Sequence, residues 1–137
     1  LPGVPLKVAW VGLGDQGTTL LKNAPAADLD VRVLCDVDPG QTERATQVLT
    51  GRGRPKPAVT QDFAEVLTKH DVEAVVIATP LWTHADLTVA ALEAGKHVFC
   101  EKMMAWDTAG VRRMLAAQKK SGKVLEVGHH RFASPLY

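Results

Sequence analysis

The sequence is poor in the features that mark several specialised classes. It has two cysteines, Cys35 and Cys100, and with the scattered histidines they fit no compact zinc motif; no metal is expected. Aromatic residues make up 5% of the chain, and the formal charge is +1 from mixed lysines, arginines and acids. No basic stripe interleaved with aromatics is present to follow a nucleic-acid backbone. No apolar run approaches the roughly 18 residues that cross a bilayer, and the N-terminus shows neither a charged n-region nor an apolar h-region. The chain begins at Leu1 rather than Met, which reads as a processed form or an excised piece. A cytoplasmic compartment is expected, with a removed export leader as the open alternative.

What is present is a core. In 137 residues, 46% are apolar and 23% charged, enough for one globular domain. Apolar runs alternate with helical stretches, the pattern of a parallel sheet wrapped by helices on both faces. Six strands are predicted: Lys7 to Val11, Val31 to Cys35, a short one at Ala58-Val59, Ala74 to Ala78, His97 to Cys100, and Val124 to Val127. Asp38-Pro39, Asp62 and Asp107 read as helix starts, Thr83 with Asp86 as a capping box, and Gly51, Gly95 and Gly122 as left-handed helix ends. The third strand is flanked by prolines, which suits a sheet edge. Its preceding basic loop, residues 51–57, reads as solvated surface. The expected fold is therefore a doubly wound α/β (Rossmann) sheet of about six strands, in order 3-2-1-4-5-6. In that order Cys35 and Cys100 end strands three positions apart, about 14 Å at the usual strand spacing, beyond disulfide reach. Both are expected to be buried free thiols.

One unit carries the functional argument. After the first strand comes Gly12-Leu13-Gly14-Asp15-Gln16-Gly17, a complete G-x-G-x-x-G, and then a helix over Thr18 to Asn23. The first glycine permits a sharp turn, the second leaves room for a diphosphate, and the third lets the helix pack closely on the sheet. The amides and positive end of the helix are then free to hold that anion. A second strand delivers Asp36 nineteen residues after Gly17, where a carboxylate accepts bonds from the adenosine ribose. Strand, loop, helix, strand and acid in register predict a dinucleotide site, with Gly12, Leu13, Gly14, Gln16, Gly17 and Asp36 as binding residues. The acid repels a 2′-phosphate, so NAD is expected in preference to NADP. Arg44 softens that preference only if its helix leans toward the site.

In open α/β sheets the ligand lies at the carboxyl ends of the strands. Strand four ends in Thr79-Pro80-Leu81-Trp82-Thr83-His84, strand five in Glu101-Lys102-Met103, and strand six in Gly128-His129-His130-Arg131. Singly each has a plain explanation, such as a helix start, a surface cation or a packing histidine; together they place ionisable groups where the nicotinamide is expected. These motifs, with Gly95-Lys96-His97-Val98 leading into Glu101-Lys102, occur in the order seen in the glucose-fructose oxidoreductase/inositol dehydrogenase (Gfo/Idh/MocA) family, and the chain resembles that family's N-terminal domain.

The resemblance implies an oxidoreductase moving hydride between nicotinamide and a sugar or polyol hydroxyl. It implies that Lys102 lies nearest the reacting hydroxyl, and that Glu101, Thr79, Pro80 and His84 border the nicotinamide and its ribose. Lys102 and His130 are the candidate catalytic residues; a held amine suits the role because the alcohol's O–H proton must leave with the hydride. The family usually has proline after the lysine, where this chain has Met103, so a trans Lys102–Met103 bond is expected. Residues 1–128 are read as the NAD(P)-binding domain, and 129–137 as the start of a connection to a C-terminal substrate domain that the chain lacks. Alone, the piece is expected to bind NAD, turn over poorly and self-associate, most simply as a dimer. Two alternatives stay open: an NAD-dependent glycosidase within the family, and a non-catalytic module that senses NAD(H).

Overall fold

The structure is a computed structural model that describes residues 3–129. Six strands, β1 (Leu6–Val11), β2 (Leu29–Cys35), β3 (Ala58–Thr60), β4 (Ala74–Ile77), β5 (His97–Glu101) and β6 (Leu125–Gly128), form one sheet in the order β3-β2-β1-β4-β5-β6. All five pairings are parallel. The helices are α1 (Asp15–Asn23), α2 (Pro39–Thr50), α3 (Phe63–Thr68), α4 (His84–Glu93) and α5 (Thr108–Ser121), with a single 3-10 turn at Leu81–Thr83. This is the expected doubly wound sheet.

The strands read as continuous apolar runs because both sheet faces are covered. Alternate residues of β1 go to opposite sides. Val8 and Trp10 join Leu34 and Val76 against Leu21 of α1 and Ala45 and Leu49 of α2. Ala9 and Val11 join Val33, Val75, Ile77 and Val98 against Val66 of α3, Leu92 of α4 and Met114 of α5. The buried indole of Trp10 donates from Nε1 to the Gly17 carbonyl at 3.0 Å, which ties the first strand to the first helix.

Helix ends follow the aspartates. Asp38, Asp62 and Asp107 each cap a helix, their side chains accepting from Gly40, Ala64 and Gly110 amides. Gly95 and Gly122 take positive φ after α4 and α5. Three local expectations are corrected. Gly51 is right-handed at φ −64°, and the left-handed position is Gly53, at φ +73°, because the chain runs through two more turn residues before reversing. Thr83 makes no capping bond; its hydroxyl is turned onto the Pro80 carbonyl. The basic loop is not merely solvated, since Arg52 donates to the Lys22 carbonyl at 2.5 Å and Arg54 to the Leu29 carbonyl at 2.6 Å. Two guanidinium groups thus satisfy carbonyls at the end of α1 and the start of β2.

Cys35 and Cys100 are buried free thiols, on β2 and β5 with two strands between them. Burial pushes each thiol up to about 11, helped at Cys35 by the neighbouring Asp36 carboxylate. None of the helices among the described residues is long and apolar enough to cross a membrane.

Candidate cofactor-binding site

A cavity of about 640 Å³ opens at the carboxyl edge of the sheet, within the range of small-molecule sites. Its floor is the turn out of β1. Gly12 has φ +88°, and a Cβ there would lie 2.5 Å from the Ala78 carbonyl oxygen; β1 and β4 meet too closely for any side chain. A Cβ on Gly17 would lie 2.0 Å from the Gly12 oxygen. The third glycine is therefore required by the loop folding back on itself, as well as by helix packing. A Cβ on Gly14 would meet nothing within 4 Å, and Gly14 itself lines the open cavity. The first two constraints shape the cradle, and the third leaves it open.

Gly14 is also the N-cap of α1, and no side chain caps that end. The first-turn amides and the positive end of the helix dipole are thus left to an anion. Gln16 lines the cavity, as does the exposed carboxylate residue Asp15. Leu13 acts differently from the expectation that it contacts the cofactor. Its side chain is fully buried, and its amide donates to Asp36 Oδ2 at 2.8 Å.

That bond, with a second from the Asp38 amide to Oδ1 at 2.9 Å, fixes the Asp36 carboxylate at one end of the cavity. Each oxygen retains acceptor capacity, so the pair can take the hydroxyls of a ribose. Val37, Gln41, Gln61 and Phe63 complete this end. Sequence reasoning missed these four, although Gln61 and Phe63 follow β3 and the strand-end rule applied to the edge strand would have found them. Arg44 is exposed on α2 and is absent from the cavity wall.

At the other end lie Thr79, Pro80 and Thr83. His84 stands behind them. It is 1% exposed, with Nδ1 2.8 Å from the Met103 carbonyl and Nε2 2.9 Å from the Thr79 carbonyl. It bridges the loops after β4 and β5 and does not form part of the cavity lining. Glu101 is buried at the end of β5, whereas the next residue, Lys102, is exposed. Glu101 borders Gly128 of β6, where a Cβ would lie 2.9 Å from its Oε1. Neither Glu101 nor Lys102 lines the 640 Å³ cavity; they lie one strand further along the same edge. The Lys102–Met103 bond is cis, where residue type alone predicts trans; the tertiary setting of the loop overrides the local preference. His130 falls outside the described residues. Among the described residues no group of three or more His, Cys, Asp or Glu is placed to hold a metal ion.

From β2 across β1 to β4, the edge thus presents a fixed carboxylate, an open amide cradle and a pair of hydroxyls. Neighbouring strands are about 4.8 Å apart, so the three lie in the sequence that ribose, diphosphate and second nucleoside occupy in a dinucleotide. The residues fit such a ligand.

Known proteins agree. The profile of a family described as an oxidoreductase family with an NAD-binding Rossmann fold matches residues 6–129. An inositol 2-dehydrogenase/D-chiro-inositol 3-dehydrogenase of Lactiplantibacillus plantarum is 33% identical over 136 residues, which are 96% of this chain and 37% of that protein. A glycosyl hydrolase family 109 protein of Shewanella pealeana is 31% identical over 105 residues, 73% of this chain and 23% of that one. Among solved structures, GenD2 from gentamicin A biosynthesis, in complex with NAD, superposes with a TM-score of 0.77 at 32% identity, over 93% of this chain and 36% of GenD2. The chain therefore spans between about a quarter and two fifths of the length of these relatives. It belongs to the Gfo/Idh/MocA oxidoreductase family, and what it comprises is that family's NAD-binding Rossmann domain.

Proposed function

We propose that this chain is the cofactor-holding part of a dehydrogenase that oxidises a CH–OH group of a sugar or polyol, with NAD preferred over NADP. The observation that carries the cofactor preference is the Asp36 carboxylate, pinned by two amides at the ribose end of the cavity. A 2′-phosphate there would set its charge against a carboxylate that cannot swing away. The inositol dehydrogenase relatives support the substrate class.

When bound, NAD supplies the hydride acceptor. The protein's own part is to hold and orient. The α1 amides hold the diphosphate, Asp36 holds the adenosine ribose, and Thr79 and Pro80 border the nicotinamide nucleoside. Lys102, exposed one strand further along the edge, is proposed as the residue that handles the hydroxyl proton of a substrate laid over the carboxyl ends of β4 and β5. His130 is proposed as a second proton-handling group. A second reading, an NAD-dependent glycosidase, is favoured by the similarity to the glycosyl hydrolase family 109 protein.

Trp82, Met103 and Trp106 are 69%, 60% and 72% exposed on the loops after β4 and β5. Exposed apolar groups on the loops after two neighbouring strands support a homo-oligomer, and a cytoplasmic setting is proposed with it. The test is calorimetric titration of NAD and NADP into the chain and into a Gly14→Val/Asp36→Ala double variant. NAD binding to the parent that is tighter than NADP and lost in the variant is the expected result; equal binding by parent and variant would sink the proposal.

A further inference from the structure

At the end of the cavity remote from Asp36, two hydroxyls form a relay whose direction is fixed. Thr83 Oγ1 lies 2.7 Å from the Pro80 carbonyl oxygen and 2.6 Å from Thr79 Oγ1. A carbonyl can only accept, and a threonine hydroxyl has one proton to give. Thr83 therefore spends its proton on Pro80, and the 2.6 Å contact is a hydrogen bond only if Thr79 donates to Thr83. The reverse assignment leaves Thr83 and Pro80 oxygens 2.7 Å apart with no proton between them. Both short contacts are satisfied in one way only.

The consequence falls on Thr79, which lines the cavity. Its proton is committed, so toward the cavity its oxygen offers lone pairs alone. The residue has little freedom to escape this. Its carbonyl lies 2.9 Å from Nε2 of the buried His84, whose Nδ1 is 2.8 Å from the Met103 carbonyl; a neutral imidazole donates to one of the two and packs against the other. His84 and Thr83 act as positioning residues, one through the main chain and the other through the side chain.

We propose that Thr79 Oγ1 is an obligate hydrogen-bond acceptor, oriented by Thr83, which selects an N–H or O–H donor on the nicotinamide nucleoside. This rests on the NAD reading above and deepens it. The nicotinamide nucleoside has two kinds of such donor, the carboxamide amino group and the ribose hydroxyls. A ligand presenting only acceptors at this point would meet lone pairs with lone pairs.

The test is calorimetric titration of the full chain and its Thr79→Val, Thr79→Ser, Thr83→Val and Thr83→Ser variants, with thermal melts to establish folding. The probes are NAD, 3-acetylpyridine adenine dinucleotide, in which a methyl ketone replaces the carboxamide, and ADP-ribose. Loss of one net hydrogen bond predicts that T79V binds NAD about three- to tenfold more weakly. T79S keeps parental affinity, T83V loses part of it, and T83S restores it. If the carboxamide is the donor, the parent binds the acetylpyridine analogue more weakly than NAD, and T79V no longer separates the two. If a ribose hydroxyl is the donor, T79V weakens NAD, the analogue and ADP-ribose alike. Parental NAD affinity in a folded T79V overturns the inference and leaves the NAD reading standing. Should T79V fail to fold, parental affinity in both T83V and T83S overturns it. Failure of the parent chain to bind NAD at all overturns both.

Discussion

Gly14 and Gly17 differ in what a methyl group would meet, and so their substitutions separate binding from folding. At Gly17 a Cβ would sit 2.0 Å from a backbone oxygen that cannot move without opening the loop. Gly17→Ala is expected to cost about 1–3 kcal/mol or more, read as a lower denaturation midpoint. At Gly14 the φ is −68° and the space beyond is open. Gly14→Ala is expected to keep stability within about 0.5 kcal/mol while weakening NAD by about tenfold, because the methyl occupies the cradle. Asp15 lies beside them on the cavity wall. Its charge favours the helix N-terminus but opposes a diphosphate there. Asp15→Asn is expected to tighten NAD about two- to fivefold in low salt, on the scale of exposed charge interactions, with the gain shrinking at high salt. Titration at two ionic strengths checks it, and a gain that persists in high salt would point to another cause.

Elements were legible in the sequence where a single residue type imposes them. Asp38, Asp62 and Asp107 start helices because a short carboxylate reaches two or three residues ahead, and that geometry does not depend on the rest of the fold. The strands were legible from apolar runs, and their order followed from the glycine motif opening the first βαβ unit. The less legible features depend on distant partners. Thr83 resembles a cap, but the Pro80 carbonyl and Thr79 hydroxyl claim it first. Arg52 and Arg54 look solvated until carbonyls 25 or more residues away come within reach. Nothing local says that His84 joins two loops and stays out of the pocket. His84→Ala is expected to cost about 1–3 kcal/mol, because it strands buried polar groups, and to raise proteolytic nicking in the loop after β5. The two strand-end thiols give an alkaline signature. A group whose pKa is raised by folding lends stability that is present below its unfolded value and lost above it. Stability should therefore fall as pH rises from the ordinary thiol value of 9.0 toward about 11. A Cys35→Ala/Cys100→Ala variant should show a shallower fall, and both native thiols should resist alkylation at neutral pH.

At the scale of the whole molecule, the sheet is covered unevenly. Helices α3, α4 and α5 pack over one face, whereas α1 and α2 pack on the side that carries Trp10 and Val76. There, toward β5 and β6, an apolar depression of about 370 Å³ is lined by Leu20, Phe99 and Val124. Two apolar surfaces thus compete to drive association: this depression, and the Trp82, Met103 and Trp106 loops at the carboxyl edge. They can be told apart because the tryptophans are exposed and absent from the cavity lining. Replacing them should cost no more than about 0.5 kcal/mol of stability and leave NAD affinity intact. We expect the chain to sediment as a concentration-dependent dimer and a Trp82→Ser/Trp106→Ser variant to sediment as a monomer over the same range. A variant that stays dimeric would move the contact to the depression at Phe99, the other apolar surface described above. A parent that is monomeric at high concentration would remove the oligomer from the proposal altogether. It would leave the dinucleotide site unaffected, because each residue that shapes that site comes from a single chain.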